Sequence, residues 1–182
     1  MSAIDFGEQT PDVATPSGLS KRSIYALAEN VANQVEYTPG GDLRKSIARI
    51  GGTIQVHEYS LSPDSNEESL IVYAPSKFTI FISPDSSEER DNFTIAHELG
   101  HYVVHFLWKR HKGENIKSMV ANRFGSTRVE WEANWFAAAF LMPAKQFQEF
   151  WQQVDSLVRV AEHFGVSRSA AEIRAKSLGL VD

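Results

Sequence analysis

The sequence contains no cysteine among its 182 residues. This absence excludes disulfide frameworks, iron–sulfur clusters, thiolate zinc fingers and cysteine nucleophiles. Any metal ion that the chain binds must therefore be held by histidine or by oxygen ligands.

Long hydrophobic runs and excess positive charge are also missing. No stretch reaches the roughly 18 consecutive apolar residues of a membrane helix, and residues 1–20 lack the basic and apolar regions of a signal peptide. We therefore expect a cytoplasmic protein without membrane contact. The formal net charge of −5 argues against a dedicated nucleic-acid binder.

The spacing of apolar residues predicts helices at both ends of the chain and a few strands between them, which is an α+β fold. Strands are expected at residues 53–57, 70–73 and 78–82. Helices are expected from Ser20, from about Leu43, from residue 86 to about 109, and over 127–141, 144–164 and 167–178.

Three segments follow from this pattern: a flexible N-terminal tail (1–19), a main domain (20–152) and a C-terminal helical hairpin (153–182). Residues 110–126 show little periodicity and are interpreted as a loop or lid. Because the strand at 78–82 leads into the next helix, we expect it to be a sheet edge on which a substrate strand pairs.

Two histidines four residues apart enclose a glutamate in the segment His97-Glu98-Leu99-Gly100-His101. In an α-helix, His97 and His101 lie about 40° apart around the axis and about 6 Å apart along it. Both imidazoles can therefore bind one zinc ion, while Glu98 can act as a general base toward water. Because the flanking residues are apolar, this helix is expected to be buried, where histidines without partners would be unfavourable.

A catalytic zinc site commonly uses three protein ligands, and we expect the third on the helix that begins at about Thr127. Glu130 is the preferred ligand, and Glu132, which lies about 200° away around the helix, is the alternative. Asn134 shares the face of Glu130 and is expected to orient a ligand. Small residues on the same helix (Ala133, Ala137 and Ala138) would allow the two helices to approach closely.

His105 lies two turns beyond His97, or about 12 Å along the axis. It cannot bind the same ion from a straight helix, so a packing role or a role in orienting a ligand is expected. Besides zinc, the candidates for stabilising an oxyanion are Tyr102 and His105.

Two longer motifs, residues 93–105 (FTIAHELGHYVVH) and 130–143 (EWEANWFAAAFLMP), closely resemble the ImmA/IrrE-type metallopeptidases. The resemblance extends from about Asp42 to Leu180 and includes residues 160–174 (VAEHFGVSRSAAEIR). It implies a zincin-like, gluzincin-type core with a small β-sheet, two metal-binding helices and a C-terminal helix-turn-helix-like hairpin.

The resemblance also implies roles for four residues: His97, His101 and Glu130 as zinc ligands and Glu98 as general base. Family members of known function are bacterial, phage or mobile-element proteins that cleave helix-turn-helix repressors. We therefore expect a zinc endopeptidase that relieves repression in a stress-response, phage or mobile-element system, or in a toxin–antitoxin system. The alternative is a zincin-fold module that binds and sequesters a repressor, or acts in a toxin–antitoxin pair, without cutting.

Direct DNA binding by the C-terminal hairpin is the third possibility. Its second helix, however, offers few basic side chains to contact phosphates, and acidic residues accompany them. The basic residues are Arg168, Arg174 and Lys176, and the acidic ones are Glu162 and Glu172. The partner that we expect is a repressor protein, not nucleic acid.

Overall fold

The structure is a computed structural model, which describes residues 10–57, 68–122 and 127–182. The strands within these ranges are β1 (Asp12–Val13), β2 (Gly52–Val56), β3 (Glu68–Ala74), β4 (Lys77–Ile82) and β5 (Met119–Asn122). The helices are α1 (Lys21–Gln34), α2 (Leu43–Arg49), α3 (Glu88–Gly100), α4 (Trp108–His111), α5 (Thr127–Leu141), α6 (Ala144–Val154), α7 (Leu157–Phe164) and α8 (Arg168–Ser177). A π-helical segment, His101–Leu107, joins α3 to α4. The fold is α+β, as the sequence predicted.

Local sequence signals fix several helix ends. The serines that precede α1, α3 and α8 (Ser20, Ser87 and Ser167) each accept a hydrogen bond from a backbone N–H three residues later. The helix predicted over 144–164 is interrupted, because Asp155 adopts a left-handed conformation with φ of 40° and ends α6.

The strands of the described residues form one sheet in the order β1-β5-β3-β4-β2. Strand β3 runs antiparallel to both of its neighbours, β5 and β4. At the two edges of the sheet, β1 is parallel to β5 and β2 is parallel to β4. In β4, Ile80 pairs with Leu70 on one side and with Ile54 on the other. The expectation that residues 78–82 form a sheet edge was therefore wrong. Their nearly continuous apolar sequence suits an inner strand that is buried on both faces.

Two segments that were placed outside the core contribute strands. Strand β5 lies within 110–126, and because it is inserted between β1 and β3, the loop interpretation was wrong for Met119–Asn122. Strand β1 lies within the expected tail, where the backbone N–H groups of Asp12 and Ala14 bond to carbonyls of Ser118 and Val120. Both strands are too short to show alternation and are recruited by pairing with the sheet. Residues 1–9 and 123–126, which belong to these two segments, lie outside the described residues.

Helix α5 packs against both α1 and α3, and its contact with α3 positions the site. At Gly100 an added Cβ would lie 3.1 Å from the Cα and the carbonyl oxygen of Ala133. Ala133 and Ala137 are fully buried. A larger side chain at Gly100 on α3, or at either alanine on α5, would push the helices apart. These small residues therefore allow the close approach that was predicted.

The C-terminal helices contact the rest of the chain through specific groups. Phe164 stacks on Phe147 with ring centroids 5.3 Å apart, and the Arg174 Nε donates to the carbonyl of Met142. The division at residues 152 and 153 stays a prediction, and it falls two residues before the end of α6. Among the described residues, no helix combines the length and apolar character needed to span a bilayer.

Candidate metal centre

Three of the predicted site residues converge where α3 crosses α5. The Nε2 atoms of His97 and His101 lie 3.1 Å apart. The carboxylate of Glu130 reaches both rings, with Oε2 3.1 Å from Nε2 of His97 and Oε1 3.5 Å from Nε2 of His101. Each of the three side chains therefore directs one ligand atom toward a common point, a group that could hold a metal ion.

These separations fit zinc. With zinc–nitrogen and zinc–oxygen bonds of about 2.0–2.1 Å, two ligand atoms that share a tetrahedral ion lie about 3.3 Å apart. The three observed separations of 3.1, 3.1 and 3.5 Å bracket that value. Oε1 of Glu130 is also buried and accepts no hydrogen bond from the described residues, which leaves it available to a cation.

Asn134 fixes the ring of His97 from the side opposite the cluster. The Nδ1 of His97 lies 3.0 Å from the side-chain oxygen of Asn134, and because that oxygen only accepts, Nδ1 carries the proton. The Nε2 lone pair then faces Glu130. Burial lowers the pKa of His97, but Glu130, Glu98 and Asn134 outweigh it, so the net pKa is raised. The cluster therefore attracts positive charge, whether a proton or a metal ion.

His101 is the most enclosed of the three groups. Its side chain is 1% exposed, compared with 15% for His97 and 24% for Glu130. Burial and the neighbouring His97 and His105 hold the pKa of His101 well below its usual value. The ring is thus kept neutral, which is the form that binds a metal ion.

The structure does not bring the alternative ligand, Glu132, into this group. Its carboxylate is fully buried and binds His105, with Oε2 3.1 Å from Nε2 of that ring. Oε1 accepts from Nε of Arg128 at 2.8 Å, and Oε2 also accepts from the backbone N–H of Ser17 at 2.8 Å. Burial raises the pKa of Glu132, but the hydrogen bonds from His105, Ser17 and Arg128 hold it at about 2.

Glu98 lies beside the three converging side chains. It is 4% exposed, and it lines a cavity of about 400 Å³ together with His97, Glu130 and Asn134. A larger cavity of about 780 Å³ between α1, α3, α5 and α8 shares Phe93, Thr94 and Asn134 with the first. The site therefore borders two adjacent cavities and is not sealed in the core.

Neither predicted oxyanion candidate faces this cavity. The hydroxyl of Tyr102 accepts from the backbone N–H of Ser76 at 2.9 Å, and Tyr102 lines a different cavity near α1. The Nδ1 of His105 lies 3.0 Å from the Nδ1 of His101, on the far side of that ring from Glu130.

Sequence reasoning missed two contacts of Glu132. Arg128 could have been found, because it lies four residues before Glu132 on the same helical face. No sequence pattern indicated the hydrogen bond from the N–H of Ser17, because this is a backbone group in a segment expected to be a tail.

Comparison with sequence families and with curated proteins gives two findings. The sequence model of peptidase family M78, described as the IrrE N-terminal-like domain, matches residues 54–176. No curated protein matches the chain at a significant level.

Among solved structures, a Mycobacterium tuberculosis transcriptional regulator is similar to this chain, with a TM-score of 0.55 and 17% sequence identity. The match covers 82% of this chain and 45% of that one, so the chain spans less than half the length of the regulator. At this level of identity, the similarity shows a shared fold alone.

Proposed function

The chain belongs to the M78 family of IrrE N-terminal-like peptidases, and from this premise we propose that it is a zinc-dependent endopeptidase with a zincin-like fold. The proposed zinc ligands are His97, His101 and Glu130, and the proposed general base is Glu98. One observation carries the proposal: three ligand atoms from two helices converge at the spacing of a tetrahedral zinc site.

The arrangement of side chains suits hydrolysis of a peptide bond. A bound zinc ion would polarise the scissile carbonyl and lower the pKa of an adjacent water toward about 7. The carboxylate of Glu98 accepts a proton from the attacking water and transfers it to the nitrogen of the leaving amine. Asn134 keeps His97 in the tautomer whose Nε2 faces the cluster.

The proposed substrate is a helix-turn-helix repressor in the cytoplasm, so that cleavage would switch on the repressed genes. The resemblance to repressor-cleaving metallopeptidases supports this choice. The two cavities share Phe93, Thr94 and Asn134 in their walls and support a polypeptide substrate, because together they extend from Glu98 along α3 toward Trp135 and α8.

The test is to incubate the purified, zinc-loaded protein with each helix-turn-helix repressor that is encoded near its gene, and to look for cleavage of the repressor. Products are identified by mass spectrometry. We expect one defined cut by the wild-type protein and a reduction in rate of about 10²–10⁴-fold for Glu98→Gln, because general base catalysis typically contributes this much.

Glu98→Gln must bind zinc as tightly as the wild type for this comparison to hold, which a chelator competition assay measures. Cleavage by the variant at the wild-type rate would contradict the role of Glu98. If both proteins bind a repressor with equal affinity and neither cuts it, the non-proteolytic binding module replaces the protease.

A further inference from the structure

A second histidine–glutamate pair lies directly behind His101. The Nδ1 of His101 is 3.0 Å from the Nδ1 of His105, and the Nε2 of His105 is 3.1 Å from Oε2 of Glu132. We call this series, His101–His105–Glu132, the histidine relay. It begins at the candidate metal centre and ends in the core, where both His105 and Glu132 are 0% exposed.

Hydrogen-bond chemistry assigns every proton in the relay. Because the ionised carboxylate of Glu132 can only accept, Nε2 of His105 must carry a proton. A zinc ligand that binds through Nε2 has no proton there, so Nδ1 of His101 carries one and donates to Nδ1 of His105. Both requirements are met together when His105 is neutral with its proton on Nε2.

We propose that His105 and Glu132 are positioning residues, which hold His101 in the tautomer and ring orientation that zinc requires. The proposal rests on the zinc site proposed above but not on the substrate. Side chains that accept a hydrogen bond from the free ring nitrogen of a zinc-bound histidine commonly act in this way. Here the partner is a second imidazole, which extends the effect to a carboxylate on another helix.

Glu132, at the end of the relay that is far from the candidate metal centre, is held by two further groups. Arg128 balances the buried charge of Glu132, and the backbone N–H of Ser17 donates to the same oxygen that receives the proton of His105. Since Arg128 also donates to the carbonyl of Leu19, the segment after β1 helps to fix Glu132. A side chain needed only to fill space would not require three directed donors.

The π-helical segment places His105 in the relay. The backbone N–H of Trp108 bonds to the carbonyl of Val103, five residues earlier instead of four. This wider turn begins at His101 and therefore changes the direction of residues that follow it, including His105. π-Turns are often found at functional sites.

The first experiment measures zinc affinity by competition with a chromophoric chelator. His105→Phe keeps the buried volume but removes both hydrogen bonds, and Glu132→Gln keeps the shape but removes the charge. We expect each to weaken zinc binding by about 10–100-fold, and His105→Gln, which can still donate and accept, to recover part of this loss. The matched controls are His163→Phe on α7 and Glu149→Gln on α6, for which no change is expected.

The second experiment detects the relay directly and needs no variant. In metal-free wild-type protein at mildly alkaline pH, the ¹⁵N NMR shifts of His101 should show a protonated Nδ1 and an unprotonated Nε2. In His105→Phe, the ring should move toward the opposite tautomer. A merely structural role for His105 would lower the thermal midpoint without changing this signature.

Two results would overturn the proposal. One is a proton on Nε2 of His101 in the wild type. The other is a zinc affinity in His105→Phe within about twofold of the wild type, far below the effect of losing a hydrogen-bond partner of a ligand. A third result would reject the proposed protease and leave the relay standing. In it, no peptide is cleaved, the wild type shows the expected tautomer of His101, and His105→Phe binds zinc more weakly. Failure of the wild type to bind zinc would reject both.

Discussion

The candidate metal centre and the histidine relay behind it contain the same two kinds of side chain in different surroundings. His97 and Glu130 are partly exposed, and their ligand atoms face one another across a short gap beside a cavity. His105 and Glu132 are fully buried, and the carboxylate of Glu132 has donors on both oxygens. His101 belongs to both groups, since one ring nitrogen faces each.

The difference lies in whether the carboxylate already has hydrogen-bond donors. Glu130 offers an oxygen that receives no hydrogen bond from the described residues, so an added cation can bind it. Glu132 has its donors in place, and an added cation would have to displace them. The two glutamates are separated by one residue on α5, and their different environments lead us to expect different consequences when each is removed.

The largest effect is expected at Glu130. Glu130→Ala removes a proposed ligand, so zinc affinity should fall by more than about 100-fold, beyond the loss expected for a residue that only supports a ligand, and the proposed peptidase activity should be abolished. Unfolding of the metal-free protein should change less than in Glu132→Ala, because the Glu130 side chain is 24% exposed and its interaction with His97 is partly solvated. Chelator competition and urea unfolding measure the two effects. Unchanged zinc affinity would remove Glu130 from the proposed ligand set.

Glu132→Ala should show the reverse pattern. The donors of His105 and Ser17 lose a buried acceptor, so the free energy of unfolding of the metal-free protein should fall by about 3 kcal/mol. Zinc affinity should also fall, by less than in Glu130→Ala. Urea unfolding with a chelator present gives the first value, and Glu149→Ala on the exposed face of α6 is the control. A cost below that of the control would mean that Glu132 is not held as the structure indicates.

The spacing of residues in the sequence was enough to predict much of the candidate metal centre. The four-residue spacing of His97 and His101, and the position of Glu130 on the face of α5 that carries Asn134, were enough to predict which side chains would meet. The helix ends at Ser20, Gly165 and Ser167 carry local signals that need no tertiary information. These features depend on the geometry of one helix at a time.

The features that sequence missed depend on tertiary contacts. The short strands β1 and β5 exist because they pair with the sheet, and their sequences show no alternation. The position of β4 inside the sheet depends on β2, which precedes the β3–β4 hairpin and pairs with β4 in parallel. The contact of His105 with Glu132 joins the π-helical segment to α5, so it depends on how two elements pack.

The smallest effect is expected at Arg128. This residue tests whether a partly exposed partner of Glu132 contributes as much to stability as the buried partners do. Arg128 pairs with Glu132 at 2.8 Å, but its side chain is 42% exposed and so remains partly solvated. Arg128→Gln should therefore lower the free energy of unfolding by less than about 1 kcal/mol, as partly exposed pairs usually do. Lys145→Gln, in an exposed pair with Glu149 on α6, is the control for urea unfolding. A cost as large as that of Glu132→Ala would mean that Arg128, through its bonds to Glu132 and to the carbonyl of Leu19, stabilises the chain as strongly as the buried carboxylate does.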